Sequence, residues 1–189
     1  ARKHELMSIV LFLHGWHHSA RYDDEYVKEF RAMLHDAYLV ETHNPVQKVR
    51  DRGPRSIIGI YVGWKGDSID IPWVRGLTFW DRKHAALNVA QGSIRELLAR
   101  LGQFYNQYNR TEPEKCPPGS HDRVECPVQL LSIGHSFGGL ALYAATQPSL
   151  LENLSYENHA LLPVSGGEPP IPPRDWYGDM VVLISPAFE

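Results

Sequence analysis

Four short, nearly unbroken apolar runs, bounded by glycine or turn residues, divide the chain: "SIVLFLHG" (8–15), "SIIGIYVGW" (56–64), "VQLLSIGH" (128–135) and "MVVLIS" (180–185). Runs of this length without polar alternation suit strands buried on both faces of a parallel sheet. Between them the period changes. In "DDEYVKEFRAMLHDA" (23–37), Tyr26, Val27, Phe30 and Met33/Leu34 recur at spacings of three and four, and Asp23 or Asp24 stands where a helix N-cap belongs. A second helix is predicted over 80–105, with Thr78 as a candidate cap and Gly92 as a weak point. A third is predicted over 137–147, stopping at Pro148. This alternation predicts an α/β fold: a three-layer, doubly wound, mainly parallel sheet with about four core strands. The stretches 65–77, 106–126 and 148–179 read as loop-rich. The prolines of "PVSGGEPPIPPRDWYGD" argue for an irregular excursion rather than a second domain, so 1–189 is one domain.

The third apolar run leads straight into "GHSFGG" (134–139) and then into a helical pattern. A Gly-x-Ser-x-Gly at a strand-to-helix junction has a mechanical reading. The turn is tight enough to strain the serine backbone, and the flanking glycines keep side chains out of the way. The Ser136 hydroxyl then projects at a helix N-terminus, where free N–H groups stabilise developing negative charge. The N–H of Phe137 would supply half of an oxyanion hole. The bland reading is a tight turn whose serine only caps a helix.

The end of the first run adds a second piece. "HGWHHSA" places His14, Gly15 and Trp16 just after a strand, and a glycine there lets the backbone turn an N–H into the site. The main-chain N–H of Trp16 is the expected second oxyanion donor. His14 is expected to orient the loop, and Gly15 and His14 border the substrate region. His17 and His18 read as solvated loop histidines, because adjacent residues rarely converge on one metal ion and no third ligand stands out.

Composition narrows the partners rather than the chemistry. A net charge of −3 gives no electrostatic reason to expect nucleic acid. No apolar run is long enough to span a bilayer as a helix, and the sequence leaves the compartment open. Cys116 and Cys126 flank the polar stretch "PPGSHDRVE" and read first as unpaired loop thiols. A disulfide in an oxidising compartment is the alternative. With His121 between them they do not reach zinc-site spacing, and no metal or organic cofactor is expected.

"HGW", "GHSFGG" and the strand–helix order resemble the α/β-hydrolase superfamily of serine esterases and lipases. More narrowly, "FLHGWHHSARYDDEYVKEFRAML", "GIYVGWKG", "LTFWDRK", "IGHSFGG" and "LISPAFE" are similar to a little-characterised group of microbial hydrolases, and these blocks are spread along the chain between Phe12 and Glu189. The resemblance implies a partial α/β-hydrolase fold and a serine hydrolase of carboxylic esters. Its substrate would be a small-molecule ester or lipid, cleaved through an acyl-enzyme at Ser136. It also implies the order serine, then acid, then histidine along the chain.

That order exposes a departure. His159 is the one histidine after Ser136, and it precedes the last predicted strand. His135 should point away from the turn, and His14 and His84 lie upstream. The base is therefore expected outside this sequence. Glu189, just past the last strand, is the acid candidate, while Asp175 and Asp179 suit a loop turn or strand entry. The superfamily sheet normally has about eight strands. The chain thus reads as incomplete at both termini, with missing segments or a partner chain completing the sheet edges. The competing function is an inactive α/β-hydrolase-like binding or scaffold protein. Trp64 is expected either to wall a substrate pocket, with Lys65 near its mouth, or to cover the core. Trp80, Arg82 and Lys83 stand near a helix start, where a structural Asp81–Arg82 or capping role is read ahead of a substrate role.

Overall fold

The computed structural model describes residues 6–43, 53–64, 83–84, 86–88, 90–111, 116, 126–160 and 178–188, with 153–160 described by backbone only. In chain order these form β1 (Met7–Leu13), α1 (Glu25–His43), β2 (Ser56–Val62), α2 (Arg95–Asn109), β3 (Val128–His135), α3 (Phe137–Ala160) and β4 (Met180–Ile184). The four strands make one sheet in the order β2-β1-β3-β4, and every pairing is parallel. The predicted three-layer α/β architecture is what the chain forms.

The chain steps from β1 outward to β2, then crosses back past β1 to β3 and β4. With crossovers of constant hand, that reversal must move the connecting helices to the opposite face. The packing follows. Val10, Phe30 and Ile133 bury together under α1, joined by Phe12, Leu34 and Tyr61. Leu11, Leu13, Ile94, Leu98, Phe137, Leu140 and Leu142 bury together on the other side, against α2 and α3. Alternate residues of β1 therefore serve alternate layers, as the pleat requires. Fully burying each such side chain contributes about 1.5–3 kcal/mol.

Register aligns the strand ends. Leu13 lies opposite both Val62 and Gly134, and His135 lies opposite Ile184. The segments leaving β1, β3 and β4 thus emerge along one carboxyl edge, and β1 and β3 flank the point where strand order reverses. Open α/β sheets bind ligands at that place.

At the opposite edge, buried polar groups tie the strand starts together. The Arg55 guanidinium donates to the carbonyls of Met7, Pro127 and Cys126, and the Arg55 N–H donates to the Glu41 carboxylate at 2.8 Å. The Asn109 amide pairs with both backbone groups of Val128, at 2.9 and 3.0 Å. Asp179 accepts from the Tyr105 hydroxyl and the Leu130 N–H, the strand-entry role expected for it.

Three expectations are corrected. α3 does not stop at Pro148 but continues to Ala160. A proline removes one ladder bond and crowds the carbonyl four residues back, and Pro148 lies on the exposed side of the helix, where neither falls in the packed core. The helix predicted over 80–105 runs on to Asn109; it is already helical at 83–84 and 86–88, and it carries a π-helical turn, Ala90–Ile94, that contains Gly92. Cys116 and Cys126 are not free thiols but a buried disulfide. Their Cα atoms lie 4.8 Å apart, a proximity that linear spacing does not reveal. No helix among the described residues is long and apolar enough to cross a membrane.

Candidate functional site

β3 ends on His135, and α3 begins on Phe137, leaving Ser136 alone in the turn. Its φ is 53°, in the left-handed region that non-glycine residues avoid. A strain of this kind, about 1–3 kcal/mol, persists only where the surroundings over-determine it. Here they do. The Ser136 N–H donates to the Ile184 carbonyl at 2.9 Å, and its own carbonyl accepts from Leu140 at 3.0 Å and Ala187 at 3.2 Å. A side chain at Gly138 would collide with the carbonyls of Leu13 and His14, so the turn can press against β1 only with glycine there. Ser185, where β4 ends, also has a left-handed backbone at φ 43°.

The loop after β1 reaches over the same turn. A Cβ on Gly15 would lie 3.0 Å from the Ser136 Cβ and 2.9 Å from Nδ1 of His135, so Gly15 allows this close approach. His14 holds the loop from below. Its Nδ1–H donates to the Gly15 carbonyl at 2.7 Å, and its Nε2 accepts from the Trp64 N–H at 3.2 Å. The Trp64 indole N–H returns a bond to the His14 carbonyl at 2.8 Å. Accepting at Nε2 fixes the ring as the neutral Nδ1–H tautomer. His14 is fully buried with both nitrogens engaged, so it orients the loop and is not available as a base. Because the peptide is trans, pinning the Gly15 carbonyl toward this ring turns the Trp16 N–H the opposite way.

Trp64 lies in the core rather than along an open pocket. It is 8% exposed, stacks on His14, and meets the ring of Phe137 edge-on at 6.4 Å. Phe137 is buried between Trp64 and Trp16. The two expected oxyanion donors thus belong to residues whose side chains pack on each other.

The remaining titratable groups gather on the α1 side of the edge. His135 points into that layer, edge-on to Tyr26 at 5.4 Å, and its buried Nδ1 has no hydrogen-bond partner. Burial pushes its pKa below the ordinary histidine value, and the charge of His18 adds to the shift. Tyr61, whose hydroxyl is also buried and unpartnered, has its pKa raised, first by burial and then by Asp24 and Tyr26.

His18 departs from the expected solvated loop histidine. Its Nδ1–H donates to Asp24 at 3.1 Å, and its ring stacks on Tyr26. His17 beside it is exposed, as expected. A histidine six positions before an acidic helix cap was the available signal for the His18–Asp24 pair. Between α1 and β4 lies an apolar groove of about 290 Å³, lined by Phe12, Tyr26, Phe30, Met33, His135 and Ile184 with the carboxylate of Glu29.

Glu189, Lys65, Trp80, Asp81, Arg82, Asp175 and His121 lie outside the described residues, as does the side chain of His159. His84 is an exposed helical residue, and the Lys83 ammonium donates to the Phe188 carbonyl at 2.6 Å. Among the described residues no group of three or more histidine, cysteine or carboxylate side chains could hold a metal ion. Comparison with protein families, with curated proteins and with solved structures returned no match.

Proposed function

We propose that this protein is a serine hydrolase of carboxylic esters with Ser136 as its nucleophile. One observation carries the reading: Ser136 is held at φ 53° between β3 and α3, at the reversal of strand order, with the β1 loop packed over it. In the proposed reaction the Ser136 oxygen attacks the ester carbonyl while its proton passes to a base. The carbonyl electron pair moves onto oxygen and is held by the N–H groups of Phe137 and Trp16. Collapse expels the alcohol, which takes the proton, and water releases the acid by the same steps. The base is not assigned to a described histidine: His14 is fully engaged, and His135 faces the α1 layer. The chemistry asks for no metal or organic cofactor. Amides and thioesters would use the same machinery, and the ester assignment rests on the superfamily resemblance.

A binding or scaffold protein that keeps the fold without turnover is the second reading. It draws on the apolar residues exposed on β2 and β4, Ile58, Met180 and Ile184. A fluorophosphonate probe separates the two. Covalent labelling that maps to Ser136 by peptide mass spectrometry, and is lost in Ser136→Ala, supports the hydrolase. Absence of labelling in the wild type leaves the scaffold.

A further inference from the structure

Asp24 does more than cap a helix. Its Oδ1 accepts the Tyr26 N–H at 2.9 Å, the N-cap bond of α1, and also the His18 ring N–H. Its Oδ2 serves only the loop, accepting the Ser19 N–H at 2.8 Å and the Ser19 hydroxyl at 3.3 Å. One carboxylate thus ties the far end of the 15–19 loop to the helix, while His14 and Trp64 tie the near end. Burial disfavours its charged form, but the bonds from Ser19, His18 and Tyr26 outweigh this and hold the carboxyl below its usual value.

Between the two ties, His17 sits at φ 64° and cannot hold that conformation unaided. If the far end were released, His17 would relax and displace Trp16, and the Gly15–Trp16 peptide that carries the oxyanion donor would be held at its Gly15 end alone. Trp16 is coupled to this turn, since its ring stacks on His17 at 4.3 Å and meets Phe137 edge-on at 6.1 Å. A line of contacts therefore runs from Asp24 through Ser19, His18, His17 and Trp16 to the residue after Ser136.

We propose that Asp24 is a positioning residue for the oxyanion hole: its Oδ2 holds the loop that carries the Trp16 N–H. This rests on the serine-hydrolase reading and adds a residue to its machinery that touches neither substrate nor nucleophile.

The two oxygens make the role separable. Asp24→Asn keeps an oxygen for the Tyr26 N–H, and asparagine is among the best N-caps, so the fold is retained. Its amide NH₂ then faces the Ser19 N–H, donor against donor, so the loop loses its Ser19 tie and keeps only the weaker His18 bond to Oδ1. His18→Phe keeps the stack on Tyr26 and removes only the bond to Asp24. The readouts are the second-order rate of fluorophosphonate labelling, and kcat and KM with p-nitrophenyl acetate, all corrected for folded fraction.

For Asp24→Asn the expected result is a melting temperature near the wild type. Labelling rate and kcat should fall about 10- to 100-fold, with KM within about two-fold, because a misplaced oxyanion donor is felt in the transition state alone. His18→Phe should show a smaller loss in the same parameters. A wild type that reacts, with an Asp24→Asn variant reacting within two-fold of it or losing only KM, overturns the positioning role and leaves the nucleophile standing. A wild type that neither labels nor turns over overturns both.

Discussion

Ser136 and Ile184 are joined by a hydrogen bond from the serine N–H to the isoleucine carbonyl at 2.9 Å, and the chain answers three residues on with Ala187 N–H to the Ser136 carbonyl at 3.2 Å. The exit of β4 thereby clamps the strained turn that ends β3. The same clamp, with the β1 loop above it, holds a left-handed serine where an isolated peptide would not keep one.

Gly138 is where this packing leaves no space. Gly138→Ala would drive a methyl group into the carbonyls of Leu13 and His14. We expect a loss of about 1–3 kcal/mol, the usual range for overpacking, or more if β1 cannot shift. Urea denaturation would measure it, and Ser136 labelling should fail in the variant even where it remains folded.

Trp64→Phe keeps an aromatic ring against His14 and Phe137 but removes the indole donor. The His14 carbonyl loses its 2.8 Å bond from that donor. Removing an internal hydrogen bond of this kind costs about 0.5–1.5 kcal/mol. Labelling of Ser136 should slow as well, because the β1 loop loses one of its near-end ties; an unchanged labelling rate would count against that coupling.

Tyr105→Phe tests the opposite edge of the sheet. It removes the 2.6 Å bond from the tyrosine hydroxyl to Asp179, while Asp179 keeps its bond to the Leu130 N–H. A hydrogen bond to a charged group is worth about 1.5–3 kcal/mol, so stability should fall by that order. The labelling rate of the folded fraction should not change, since this contact lies at the amino edge of the sheet.

Reduction should destabilise the fold. The Cys116–Cys126 bond closes a short loop, and the loop-entropy relation gives about 2–3 kcal/mol for one of that length. Urea midpoints with and without dithiothreitol would show the difference, and a Cys116→Ser/Cys126→Ser variant should match the reduced protein.

Acid should weaken the α1 side of the edge. Burial, with the charge of His18, holds the His135 pKa below its ordinary value. The unfolded chain binds this proton near pH 6.5, about where a free histidine titrates. The native state binds it only at lower pH, so the stability attached to neutral His135 is full above that value. It is lost as pH falls toward the native pKa. His135→Phe should flatten the decline of the urea midpoint between about pH 7 and pH 5 relative to the wild type. Equal slopes in the two proteins would argue against His135 as its source.

The sequence by itself determined the four strands, nearly to the residue, because nearly unbroken apolar runs bounded by glycine or turn residues leave few other conformations. It also determined the Ser136 turn, since glycine at 134, 138 and 139 around a lone serine is a local pattern with a local steric cause. What the tertiary structure decided was every relation between distant positions. The Cys116–Cys126 bond depends on a proximity that linear spacing does not reveal. The continuation of α3 through Pro148 depends on which side of the helix faces water. The role of Trp64 depends on which neighbour its indole reaches, and that neighbour is the His14 carbonyl, fifty residues away. His18 and Asp24 are close in sequence, yet their pairing forms only where the β1 loop folds back onto the start of α1. Local sterics are written in short stretches of chain, whereas hydrogen-bond partners and burial are fixed only once the layers have packed.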